Sequence, residues 1–286
     1  MTVAGWLRQA ALAFADGVAW RAAGVDASPR REAEWLLAEA LGHDLAWLLT
    51  WPERDLTEAE RARADDWLQR RLGGEPLAYL AGVQPFWTLS LRVTPATLIP
   101  RPDTERLVEL ALQRLPEVSC RVLDLGTGSG AIALALASER RQAAVTAIDR
   151  SHEALAVAQG NGERLALPVR WLQGDWFAPV AGERFDLVVS NPPYIRADDH
   201  HLAALMHEPL SALVAADDGL ADLRQLVRTA PEHLLPDGWL LLEHGHDQSE
   251  AVRALLATRG FTAVATWQDH GGQDRVSGGR WPGGEG

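Results

Sequence analysis

Val122-Leu123-Asp124-Leu125-Gly126-Thr127-Gly128-Ser129-Gly130 runs from a short apolar stretch straight into a glycine-rich turn, and Ala131 to Glu139 carries on at helical spacing. Such a passage is expected where a buried strand ends, the backbone turns sharply and a helix begins. Outward from it the same alternation repeats. Arg121 to Leu125, Val145 to Ile148, Val169 to Leu172, Phe185 to Ser190 and Trp239 to Glu243 read as strands. Leu107 to Leu115, Ala131 to Glu139, Glu153 to Leu165 and Leu220 to Leu234 read as helices between most of them. The alternation predicts an α/β domain over residues 103–286, with a mostly parallel, doubly wound sheet and ligands at its strand C-terminal ends.

Residues 1–76 carry a different pattern. Trp6, Ala10, Ala13 and Phe14 recur at helical spacing, and Ser28-Pro29 starts a second helix whose apolar face is Ala33, Leu36, Leu37, Ala40 and Leu41, stopped at Gly42. Thr57 with Glu60 forms a capping-box pattern ahead of a helix that reaches Gly73-Gly74. So small a helical unit is expected to dock on something, the second domain or a partner. Between them, residues 77–102 switch to period two at Trp87, Leu89, Leu91 and Val93, then meet Pro95, Pro100 and Pro102, which suggests a hairpin linker. The tail from Pro282 to Gly286 is expected to fray.

The 286 residues are 47% apolar, enough for a sizeable core, and carry 27 cations, all Arg, against 39 acids, a net charge of −12. That balance argues against sequence-independent nucleic-acid binding. The single Cys120 suits a reducing compartment, no apolar run approaches a membrane span, and the N-terminus lacks a secretory pattern, so a cytoplasmic protein is expected.

Gly126, Thr127, Gly128, Ser129 and Gly130 would bring backbone N–H groups close to a ligand at a helix N-terminus. Asp149 closes the next strand 19 residues after Gly130, where an acid accepts hydrogen bonds from ribose hydroxyls. The third glycine comes one residue early for a dinucleotide fingerprint and Asp124 precedes the loop, so the pattern points to an adenosine-bearing cofactor of the S-adenosylmethionine type. Asp175 and Trp176 follow the third strand, placed to accept from an exocyclic amine and to pack on an adenine face. Phe185 to Ser190 ends in Asn191-Pro192-Pro193-Tyr194. Two prolines force the chain out of the sheet there. The Asn191 side-chain oxygen and the Pro192 carbonyl are acceptors for the two hydrogens of a planar NH₂, and Tyr194 offers a flat face beside it.

Asn191-Pro192-Pro193-Tyr194 resembles the signature of class I S-adenosylmethionine-dependent methyltransferases acting on exocyclic or amide nitrogens. Gly74 to Leu80, Phe86-Trp87, Leu98 to Glu105, Asp124 to Gly130, Ala212 to Ala216, Leu242 to Gly245 and Asp274 to Val276 narrow the resemblance to the release-factor glutamine methyltransferases. It covers nearly the whole chain and is weakest over the first 70 residues.

The resemblance implies a Rossmann-like domain that methylates the glutamine of the Gly-Gly-Gln loop in class I peptide-chain release factors. The implied cofactor is S-adenosylmethionine, converted to S-adenosylhomocysteine; separately from the resemblance, a monomer is expected. Gly126 to Gly130, Asp149, Trp176 and Asn191 then match cofactor contacts, and Asn191, Pro192, Pro193 and Tyr194 the glutamine clamp. The helical domain is similar to the part that docks the release factor. Ala204-Leu205-Met206-His207-Glu208-Pro209 departs from the family pattern in being shorter and lacking an Arg, which puts the active-site rim in question.

The rival reading is methylation of a nucleic-acid base, with Tyr194 stacking a flipped base. Against it stand the net charge and the 9 Arg against 13 acids in residues 1–80. A clamp without His or carboxylate needs no general base, because the methylated nitrogen becomes acidic, so His200, His201 and His207 are expected to be solvated loop residues. Glu243, His244, His246 and His270 show no metal-ligand spacing, and no metal is expected. Gly271-Gly272-Gln273 repeats the letters of the substrate motif but reads as a turn before a C-terminal strand.

Overall fold

The computed structural model describes residues 1–17 and 28–283, so residues 284–286 of the expected frayed tail lie outside the described residues. The chain divides into two compact units, Met1–Gly82 with His200–His207, and Val83–Asp199 with Glu208–Gly286.

In the first unit, helices span Val3–Asp16, Pro29–Leu41, Leu45–Thr50, Glu58–Leu72 and Leu77–Ala81. Ser28 caps the second through Arg31 N, with Pro29 in its first turn and Gly42 in the left-handed region at its end. Both halves of the Thr57–Glu60 capping box form, a feature worth about 1 kcal/mol. The apolar faces meet around Trp6, Phe14, Leu36 and Leu37, all at most 1% exposed. Periodicity gave no sign of the buried Arg71–Glu32 ion pair at 2.6 Å, in which each charge satisfies the other's cost of leaving water.

The segment expected to be a hairpin linker is of two kinds. Leu77–Ala81 is a helical turn after Pro76, held by burial of Tyr79 and Leu80. The hairpin is β1 (Val83–Phe86) and β2 (Leu89–Arg92), and its Phe86 and Leu91 lie in the core of the second unit.

The second unit is built on a seven-stranded sheet. β3 (Cys120–Leu125), β4 (Ala143–Asp149), β5 (Arg170–Gln173), β6 (Phe185–Ser190), β7 (Leu234–Glu243), β8 (Thr262–Gln268) and β9 (Asp274–Arg280) stand in the order β5-β4-β3-β6-β7-β9-β8. The first five are parallel, and β9 inserts antiparallel between β7 and β8. Side chains alternate between two cores. Val122, Leu187, Val189 and Leu241 face the layer holding helices Pro102–Leu112 and Ala131–Glu139. Leu123, Leu125, Val188, Leu240 and Leu242 face the layer holding helices Ala221–Thr229 and Ser249–Arg259. Helix Ala131–Glu139 is buried at every position from Ala131 to Ala137, because the hairpin and helix Pro102–Leu112 cover what the sheet does not.

Two boundaries differ from expectation. Helix Ala221–Thr229 ends well before Leu234. Pro231 has no N–H to continue it, so Ala230–His233 is a 3₁₀ turn and Leu234 already pairs with Phe185. Helix Pro102–Leu112 starts at its proline, five residues before the first apolar-periodic position, because proline is pre-set for a first helical turn.

The topology fixes where a ligand can bind. From β3 the chain winds to β4 and β5 on one side, then returns to β6 on the other. Loops leaving β3 and β6 therefore diverge, and a crevice opens at their C-terminal ends. The glycine loop leaves β3 and Asn191 leaves β6.

Candidate active site

A cleft occupies that crevice, and Gly126, Gly128, Asp149, Asp175, Trp176, Asn191 and Pro193 are on its wall. Thr127, Ser129, Gly130, Pro192 and the half-buried Tyr194 are not part of that wall. Thr127 and Ser129 are 6% and 2% exposed, and Pro192 is buried.

The loop is shaped by three left-handed glycines, Gly126, Gly128 and Gly130. Their roles differ. A methyl at Gly130 would stand 3.0–3.2 Å from Leu134, Trp171 and Ala158, so this glycine lets the helix that follows pack closely. A methyl at Gly128 would meet nothing within 4 Å, which leaves that stretch of backbone open to the cleft. Gly126 N and Thr127 N both donate to Ile148 O, pinning the loop to the end of β4. From behind, the buried Asn161 donates to Ser129 O and Arg92 O and accepts from Arg92 N, joining loop to hairpin. Nothing local to Asn161 in the sequence announces that role.

Two acids support the loop in different ways. Asp124 is fully buried, accepts from Thr127 Oγ1 at 2.6 Å and Ala133 N at 3.2 Å, and leaves Oδ1 without a partner. Burial pushes its carboxyl up to about 7, against the pull of those two donors. Asp149 is on the cleft wall, where its oxygens accept from Gly128 N at 2.8 Å and Ser151 N at 2.9 Å. Each oxygen keeps a further lone pair toward the cleft.

Trp176 stands at positive φ with its ring edge against Gly126, and its indole hydrogen-bonds to Asp222. Asp222, which the sequence reading did not single out, is thereby tied to the floor of the cleft. Asp175 beside it is exposed.

At the end of β6, Ser190 Oγ donates to Leu125 O at 2.7 Å, fastening the exit of β6 to that of β3. Asn191 Nδ2 donates to Thr104 Oγ1 at 3.2 Å, and Tyr194 Oη donates to Glu243 Oε1 at 3.4 Å. Burial and the neighbouring Glu243 raise the Tyr194 hydroxyl well above its ordinary range, so it stays a neutral donor. Glu243 itself is 1% exposed, and burial pushes it up to about 7 despite the hydroxyls of Thr104 and Tyr194 and the Arg275 guanidinium. Thr104 and Glu243 lie within Leu98 to Glu105 and Leu242 to Gly245, two of the segments that carry the resemblance, which by themselves assign neither residue a role. The available signal is an acid closing the apolar strand β7 at the same sheet end as the glycine loop.

Beyond the clamp the backbone is held as firmly. Ile195 N donates to Leu213 O and Ala215 N to Ile195 O, and Gln248 Nε2 donates to Tyr194 O at 3.0 Å. The Glu208 that follows the shortened stretch has a physical role here. Glu208 is 6% exposed and accepts from Ile99 N and from Arg101, tying the strap that carries Ala96, Thr97 and Leu98 to the rim formed by Pro209, Ser211 and Ala212.

His200 and His201 are exposed as expected, but His207 is half-buried with its Nε2 enclosed and without a hydrogen-bond partner, so it is not a solvated loop residue. His244 and the look-alike motif have local explanations. His244 is fully buried between Gly245 O and Ser277 Oγ. Gly271-Gly272-Gln273 is the β8–β9 turn, where Asp269 Oδ1 accepts from Gly271 N and Gln273 N.

A methyltransferase small domain family matches residues 105–257, and a PrmC N-terminal domain family matches residues 6–82. The release factor glutamine methyltransferase of Salmonella typhimurium is 52% identical over 257 residues, covering 89% of this chain and 93% of the relative. That of Pseudomonas aeruginosa is 54% identical over the same length and coverage. The chain belongs to the release factor glutamine methyltransferase family. Among solved structures, a T. thermophilus 16S rRNA N2 G1207 methyltransferase in complex with AdoMet and guanosine is similar with a TM-score of 0.52 and 23% identity. It covers 69% of this chain and 49% of that one, a likeness of fold alone. The mixed sheet and the preceding helical region are those of the family.

Both buried acids make stability depend on pH. Asp124 and Glu243 keep their protons in the folded protein up to about 7, whereas an unfolded chain releases them near 3.8 and 4.5. In that window the native state binds more protons, so the stability these groups contribute is complete below it and is lost as pH rises through about 7. Denaturant unfolding of Asp124→Asn across this range should show a shallower fall than the parent. Equal slopes would remove Asp124 from the account.

Proposed function

We propose that the chain transfers the methyl group of S-adenosylmethionine to the side-chain amide nitrogen of the glutamine in the Gly-Gly-Gln loop of class I peptide-chain release factors. The observation that carries this reading is that Asn191 stands on the wall of the same cleft as Gly126, Gly128 and Asp149, in a chain half identical to enzymes named for that reaction. We assign residues 1–76 to docking the release factor, 77–102 to the linker and 103–286 to catalysis. Among the described residues no helix is long and apolar enough to cross a membrane. The reading places the enzyme in the cytoplasm, as a monomer, with no direct nucleic-acid partner.

The cleft fits the cofactor. Gly128 offers open backbone, Asp149 has lone pairs for two ribose hydroxyls, and Asp175 and Trp176 border the same space for an adenine. Gly126 to Gly130, Asp149, Asp175, Trp176 and Asn191 would hold it. Thr127 and Ser129 contribute through backbone placement, their side chains being turned away. When bound, S-adenosylmethionine supplies a methyl group on an electrophilic sulfonium.

The protein's task is to make a poor nucleophile reactive. An amide lone pair is delocalised into its carbonyl. Asn191 Oδ1 and the Pro192 carbonyl accept the two N–H hydrogens, which favours a pyramidal nitrogen with its lone pair directed at the methyl and stabilises positive charge growing there. Pro193 and the Tyr194 ring bound the amide plane. Transfer to that nitrogen would leave the cofactor as the thioether S-adenosylhomocysteine, and the alkylated nitrogen, now acidic, would give its proton to solvent. Asn191, Pro192 and Tyr194 are thus the catalytic set, and none of them acts as a base.

Incubation with labelled S-adenosylmethionine and a class I release factor, followed by peptide mass spectrometry, tests the reading. A methyl on the Gly-Gly-Gln glutamine is expected; label on RNA or DNA with an unmodified release factor would overturn the substrate. Asp149→Ala is expected to raise KM for S-adenosylmethionine by about tenfold or more, the loss of charge-assisted hydrogen bonds. An unchanged KM would take Asp149 out of the cofactor site.

A further inference from the structure

Thr104 lies in the first turn of helix Pro102–Leu112, 4% exposed, with its hydroxyl between two polar groups. On one side Asn191 Nδ2 donates to Thr104 Oγ1 at 3.2 Å. On the other is Glu243, whose ionised form the Thr104 hydroxyl favours by hydrogen bonding. Glu243 closes β7, fully enclosed; its Oε1 accepts from Tyr194 Oη, and its Oε2 has no hydrogen-bond partner.

A hydroxyl has one proton and two lone pairs. Once ionised, above about 7, the buried Glu243 carboxylate attracts that proton, so the side of the oxygen facing Asn191 can only accept. The two ends of an asparagine amide are nearly the same in shape and differ only in hydrogen bonding. An acceptor-only neighbour therefore tells them apart: it binds the NH₂ end and repels the C=O end.

We propose that Thr104, backed by Glu243, is the positioning residue that decides which end of the Asn191 side chain meets the substrate, holding Nδ2 back and presenting Oδ1 as the acceptor. This rests on the clamp reading above. With the amide reversed, Nδ2 would face the substrate NH₂ donor against donor, and the charge-stabilising contact would be lost. Neither Thr104 nor Glu243 touches the reacting atoms. They act through Asn191.

Thr104→Val keeps the branched shape and removes the hydroxyl. It is expected to lower kcat on the intact release factor by about 10–100-fold, somewhat less than loss of the contact itself. The dissociation constant for S-adenosylmethionine, measured by calorimetry, should stay within about threefold, since the cofactor-facing loop is untouched. Thr104→Ser restores the hydroxyl and is expected to recover most of kcat, which repair of packing alone would not do. Glu243→Gln removes the negative charge that draws the Thr104 proton and should also depress kcat.

A spectroscopic arm needs no substrate. The Asn191 side-chain NH₂ resonances, identified by their absence in Asn191→Ala, should exchange slowly in the parent and faster in Thr104→Val. Parent-like kcat and exchange in Thr104→Val overturn the proposal; if that variant does not fold, parent-like kcat in Glu243→Gln does so. A parent enzyme that leaves the glutamine unmethylated while its Asn191 amide is protected by Thr104 would remove the functional reading and leave the amide orientation standing.

Discussion

Asn191→Ala is expected to lower kcat for release-factor methylation by about 10²–10³-fold, the cost of one preorganised polar contact at a site of developing charge. The side chain is unusually well prepared for that role. β6 delivers it to the cleft, Ser190 fastens the strand exit to β3, and Thr104 occupies its Nδ2. On the proposed reading its Oδ1 would meet the substrate amide with little reorganisation. Alanine removes the acceptor without refilling the space. Single-turnover methylation of an intact release factor separates this from slow product release. Activity within tenfold of the parent would sink the clamp assignment.

Gly219→Ala is expected to be comparably severe although residue 219 belongs to no motif. Gly219 sits at φ +83, immediately after Asp217 and Asp218, which are also left-handed. A methyl there would fall 2.2 Å from Tyr194 O and 2.8 Å from Gln248 Nε2, so the clamp backbone or the segment beneath it must move by about 1 Å. A displacement of that size costs about 10²-fold in rate. The unfavourable φ adds roughly 1–2 kcal/mol of destabilisation. Gly182→Ala isolates the second effect. Gly182 has φ +79 with nothing within 4 Å of the added methyl, and it precedes β6 at the end of the strand opposite the clamp. That variant should lose stability and keep kcat. Equal kcat in Gly219→Ala and Gly182→Ala would show that the close approach to Tyr194 O is not what aligns the clamp.

Much of the second unit was legible from local pattern. Phe185 to Ser190 is a strand end to end, and Ala131 to Glu139 a helix, because apolar period and flanking glycine or proline agree. The same signals failed where two elements share apolar residues. Leu234 fits both the end of a helical stripe and the start of a strand, and pairing with Phe185 decides for the strand. The β8–β9 hairpin showed only one of its strands in the sequence, since β8 has Thr, Ala and Gln where an alternating stripe would be apolar.

The glycine loop, the acid at the end of β4 and the Asn-Pro-Pro-Tyr exit from β6 were determined by the sequence alone. Each depends on a few consecutive residues whose backbone limits and hydrogen-bonding capacity are intrinsic. Tertiary structure alone decided what lies behind them. Thr104 and Glu243 are 139 positions apart, Asn161 braces a loop from the far side of the helix it belongs to, and Trp176 turns its ring to Gly126 and its N–H to Asp222. A buried polar group must find its partner wherever the fold brings one, and chain spacing carries no record of that choice.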